Sequence, residues 1–76
     1  VRIVLDIPRE EVPCLLVALQ HGATDFAVSA RQERDTHRLA GKPFSAETKE
    51  TVEAWDRHFV TLMRLKEEIR RKAGIP

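Results

Sequence analysis

The sequence predicts a mainly α protein: a short N-terminal β-strand, then a long antiparallel helical hairpin, a β-α-α order that self-associates into a helical bundle. Three observations predict it. "VRIVLDIP" alternates apolar and polar side chains, the period of a strand with one buried face, until Pro8 stops it. Two later stretches repeat their apolar residues every three or four positions, the period of a helix. A stretch rich in chain-breaking residues, "LAGKPFS", separates them. A single domain then covers 1–76, with the strand over about 1–7, one helix over about 12–40, a loop over about 41–45 and a second helix over about 46–73.

The strand faces Ile3, Leu5 and Ile7 inward. It has no second strand in the chain to pair with, and proteins rarely leave such an edge open. Its expected partner is therefore a second copy, pairing antiparallel, or the edge of another protein's sheet. Pro8 and Pro13 both suit a helix start, where the missing N–H costs nothing. Pro8–Glu11 reads as a tight turn, and the regular helix begins near Val12. Val12, Leu15, Leu16, Leu19, Ala23, Phe26, Ala30 and His37 then keep one helical phase until Gly41 and Pro43 end it.

The second helix opens on Ser45, an N-cap candidate, with Glu47, Glu50 and Glu53 in its first turns. Arg64, Lys66, Arg70, Arg71 and Lys72 crowd its C-terminal half, an order that complements the helix dipole. Its apolar stripe is Val52, Trp55, Phe59, Leu62, Met63, Leu65 and Ile69. Folding the two helices about the loop sets Trp55 near Ala30, Phe59 near Phe26, Leu62 near Ala23 and Ile69 near Leu16. Lys66 lies inside the apolar stripe, where its stem can run to water or its ammonium can meet Glu10 or Glu11.

Length and charge narrow the function. A chain of 76 residues buries only about 60% of its unfolded surface, so its own core is marginal. Disulfides cannot compensate, because Cys14 is the single cysteine; among Val12, Leu15 and Leu16 it reads as a small core residue. Thirteen basic against twelve acidic residues leave +1, without the basic excess of a dedicated nucleic-acid binder. The run "VPCLLVAL" is too short to span a bilayer, and no leader pattern opens the chain, so the expected location is the cytoplasm, with no membrane.

Few residues carry chemistry. Arg31, Arg34 and Arg38 recur on one flank near the loop, with Lys42 beyond and Trp55 close by in the expected register. Such a flank can hold a small anion or a nucleotide, arginines on phosphate and indole on base. Its competing reading is a solvated face, neutralised by Glu33, Asp35, Glu47 and Glu50. His21–Asp25 and Glu33–His37 each have the spacing of two metal ligands, but neither has a third partner, so no metal and no cofactor is expected. "ETVE" at Glu50–Glu53 resembles the Glu-x-x-Glu of all-α nucleoside triphosphate pyrophosphohydrolases. The first helix offers no matching acidic motif. No catalytic residue is assigned.

"HGATDF" admits another reading, in which Gly22 ends one short helix and Thr24 caps the next. So read, the first half of the chain resembles the ribbon-helix-helix family of bacterial and phage DNA-binding repressors. "RIVLDIP" would be the ribbon, Val12 to Leu19 the first helix, and "GAT" the turn before the second. The resemblance implies a strand inserted into the major groove, presenting Arg2, Val4 and Asp6. Asp6 would then face phosphates, an unfavourable placement. A glycine inside one continuous helix costs only about 1 kcal/mol, which favours the unbroken helix.

Val17, His21, Val28 and Leu39 fall together on the first helix, away from the stripe that meets the second. Two helices cannot cover this surplus, and wet apolar surface forfeits about 25 cal/mol per Å². The expectation is a non-enzymatic, oligomeric protein-binding module, a homodimer or larger. Ile3, Leu5, Ile7, Val17, His21, Val28 and Leu39 would meet a second copy or a protein partner. A small phage or mobile-element accessory factor acting on a bacterial protein fits such a chain. The ribbon-helix-helix repressor and the anion-binding oligomer are the alternatives.

Overall fold

The computed structural model describes residues 2–75. Helix α1 runs Val12–Ala40 and α2 runs Ala46–Lys72, preceded by a single 3₁₀ turn at Arg9–Glu11. The helices are antiparallel: Gln20 meets Lys66 near one end of the pair, and Arg34 meets Asp56 nearer the other. Dimensions of 49 × 25 × 16 Å and a radius of gyration of 16.1 Å describe a rod. A compact chain of this length would have a radius near 11 Å.

The β-α-α expectation is overturned at its first element. Among the described residues there is no strand, and residues 2–7 make no backbone hydrogen bond. Alternation alone cannot form a ladder, because a strand is defined by a paired neighbour and this chain supplies none. Val1, the first residue of the expected strand, lies outside the described residues. Pro8 still begins structure, its carbonyl accepting from the Glu11 N–H at 2.9 Å.

Gly22 does not break α1, which is continuous through it. Leu62 packs over it: a Cβ at position 22 would lie 3.3 Å from the Leu62 Cδ1, a tight contact that the end of a flexible side chain can relieve. The ribbon-helix-helix resemblance therefore loses both of its structural expectations, the ribbon and the break. Gly41 ends α1 in the left-handed region at φ +66°, where a glycine pays no steric penalty. Its N–H donates to the Arg38 carbonyl at 3.1 Å, and the Lys42 N–H reaches back to the His37 carbonyl at 3.0 Å. Those two bonds make a Schellman motif, satisfying carbonyls that the last turn leaves over. Gly74 repeats the arrangement after α2, through Arg71 and Arg70. At the start of α2, Ser45 Oγ accepts from the Thr48 N–H at 3.1 Å, the N-cap its position suggests.

Small side chains set the closeness of the pair. Ala23 and Ala30, seven residues apart on α1, are 0% and 1% exposed. With Val12 and Val52 they complete the buried set among the described residues, in which no large side chain is fully enclosed. Phe26 meets the ring of His58, centroids 5.0 Å apart and planes tilted by 42°, so its ring partner is the residue before the expected Phe59. Cys14, expected in the core, is exposed. Helical phase explains the difference: Val12 points toward α2, and two residues on the side chain has swung some 200° round the helix.

Two substitutions test these local accounts. Ser45→Ala removes the cap of α2 and should cost about 1 kcal/mol in thermal or urea unfolding. Gly22→Ala should raise the melting temperature by several degrees, since helix propensity gains about 1 kcal/mol and the half-buried Leu62 can move by the few tenths of an ångström required.

Candidate functional site

Two packed helices leave two edges along their seam, and here the edges differ in chemistry. On one, polar groups bridge the helices. Lys66 Nζ donates to Gln20 Oε1 at 2.6 Å, and Arg34 pairs with Asp56. Lys66 thus neither runs free to water nor meets Glu10 or Glu11; a neutral amide across the seam receives it. The Arg34–Asp56 pair is half in water, 49% and 46% exposed, so it contributes under about 1 kcal/mol.

On the other edge the seam is apolar. Near the open end a cleft of about 670 Å³ is floored by Leu15, Leu19, Leu65 and Ile69, with Ile3, Leu5 and Ile7 alongside. Its charged rim is Asp6, Arg9, Glu68 and Lys72. Farther along, a second cleft of about 410 Å³ is lined by Phe26, Thr51, Trp55 and His58, rimmed by Glu47, Glu50 and Arg57. Gly22 and Leu62 lie between the two in sequence on both helices. The close approach of Leu62 to Gly22 separates the two clefts along the seam. Thr51 and His58 fall outside the core stripes on which helical periodicity places Leu15, Leu19, Phe26, Trp55, Leu65 and Ile69. Two helices cannot enclose them, and that is why they line a surface instead.

The expected site residues divide over three surfaces. Ile3 is 78% exposed and Leu5 nearly as open, while Ile7 is half-buried, all three beside the open-end cleft. Val17, His21, Val28 and Leu39 stay exposed on the outer side of α1, Leu39 at 83%. Val60 on α2, 63% exposed, is an outward aliphatic that the sequence reading left out.

The three arginines do not gather round Trp55. Arg34 is taken by Asp56, while Arg31 and Arg38 share Asp35 at 3.9 and 3.1 Å. Trp55 lines the cleft on the apolar edge, which none of the three enters. The structure therefore does not bring together the phosphate grip and the stacking indole that a nucleotide site would need.

His37 accepts or donates to Glu33 across 3.1 Å and packs edge-on against Phe44, at 4.7 Å between centroids. Its buried Nδ1 has no hydrogen-bond partner. Among the described residues no three His, Cys, Asp or Glu side chains converge as a metal site, and no helix is long and apolar enough to cross a membrane. Comparison with family models, curated proteins and solved structures gave no match, so the functional reading rests on this chain's own physics.

Since Trp55 and the arginine flank occupy separate edges, millimolar inorganic phosphate or ATP should leave the Trp55 emission spectrum unchanged. A saturable shift would restore the anion-binding reading.

Proposed function

We propose that the chain is a non-catalytic, self-associating helical hairpin that works by binding protein through its uncovered apolar surface. One observation carries this reading. The single chain exposes 6271 Å² for a mass of 8.7 kDa. A folded monomer of that mass exposes about 4,700 Å². That surplus of roughly 1,500 Å² on one chain is about twice the ~800 Å² that each partner buries in a standard protein–protein interface. The buried set supports the same reading, because Val12, Ala23, Ala30 and Val52 are too small to hold two long helices together alone.

Sedimentation equilibrium tests it. At tens of micromolar the mass should be twice the chain mass or more, and the melting temperature should rise with protein concentration, because association stabilises by mass action. A monomer of 8.7 kDa whose cooperative melt does not move with concentration would overturn the reading.

A further inference from the structure

Two surfaces compete for the second copy, and this inference rests on the self-association proposed above. The outer side of α1 offers Val17, Val28 and Leu39, but they are widely spaced and sit on one helix. The apolar edge of the seam draws on both helices and is already concave.

We infer that a second copy docks on the apolar edge of the seam in antiparallel orientation, about a two-fold axis that crosses at the level of His58. Charge decides the orientation. Glu47 and Glu50 rim the loop-end cleft without an ion-pair partner among the described residues, and Arg9 rims the open-end cleft likewise. A parallel pair would set Glu47 and Glu50 against their own counterparts. An antiparallel pair instead sets them against the open-end rim of the second copy, so like charge no longer faces like. There Lys72 is already paired with Glu68 at 3.4 Å and Asp6 balances Arg9, so Arg9 is the cation left for Glu47 and Glu50.

Spacing agrees with charge. At 1.5 Å per residue, Glu47 and Lys72 stand about 17 and 21 Å on either side of His58, within side-chain reach of a symmetric match. Thr51 and Trp55 then stand over the Leu65 and Leu62 of the second copy. Tryptophan is among the residues enriched at interface hot spots, which makes Trp55 the central anchor of this face. Burying about 800 Å² per chain would remove roughly half of the surplus surface, enough for a stable pair.

Cross-linking in a Cys14→Ser background, under a mild oxidant, reads the geometry directly. His58→Cys should form a covalent dimer with itself. Glu47→Cys alone should not, its two copies being about 34 Å apart, but mixed with Lys72→Cys it should give the heterodimer. In sedimentation, Leu65→Lys should weaken the dimer at least tenfold and Val28→Lys less than twofold, with helix content checked by circular dichroism. A wild-type monomer would overturn self-association itself. A wild-type dimer that cross-links through Val28→Cys and not His58→Cys would overturn only the choice of face. Self-linking of Glu47→Cys would overturn the antiparallel orientation.

Discussion

Two cylinders in contact share one line, and everything in this molecule follows from that. An amphipathic helix in a globular domain presents an apolar arc of 100° or more, which several neighbours together must cover. Here α1 and α2 have only each other. Residues at the centre of the contact, Ala23, Ala30 and Val52, are closed off, while leucines and aromatics one step to either side remain half in water. Larger side chains at 23 and 30 would push the axes apart without enclosing anything more, since no third element sits over the seam.

The seam's two edges resolve that exposure differently. Where Lys66 meets Gln20 and Arg34 meets Asp56, polar groups span the gap and keep contact with solvent. Such an edge needs no cover. Lys66 illustrates the logic: a lysine in an apolar stripe looks like an error in a single helix, yet its reach across to Gln20 turns one edge of the stripe hydrophilic. Facing it, Leu15, Leu19, Leu65 and Ile69 gain nothing from water. Distributing polarity to one edge leaves the opposite edge as the surface whose burial would contribute most.

Much of the helical architecture was legible because it is local. Ser45, Gly41 and Gly74 each act within a turn of themselves, so caps and ends can be read without knowing the partner helix. Register was legible to within a residue where contacts bear on it: Phe26 meets His58, next to the expected Phe59, and Leu62 meets Gly22, next to the expected Ala23. What could not be read was anything that needs a third body. Cys14 has apolar neighbours in sequence, but two residues along a helix is more than half a turn, and nothing lies on that side. The arginine flank and Trp55 looked adjacent because sequence register gives height along the hairpin but not which edge of the seam a side chain leaves by.

The N-terminal segment carries the same lesson in another form. Period-two alternation is a property of extended backbone, which throws successive side chains to opposite sides whether or not a ladder forms. In "RIVLDI" that geometry sets Ile3, Leu5 and Ile7 beside the open-end cleft, with no hydrogen-bonded neighbour among the described residues. The strand that the pattern predicts is therefore absent, and Ile3 and Leu5 stay largely exposed. Alternation says that an apolar face lies on one side of the chain; it does not say that the face is a sheet. Here Ile3, Leu5 and Ile7 lie beside a groove between two helices, and the backbone of residues 2–7 forms no backbone hydrogen bond, because an aliphatic groove has nothing with which to bond it.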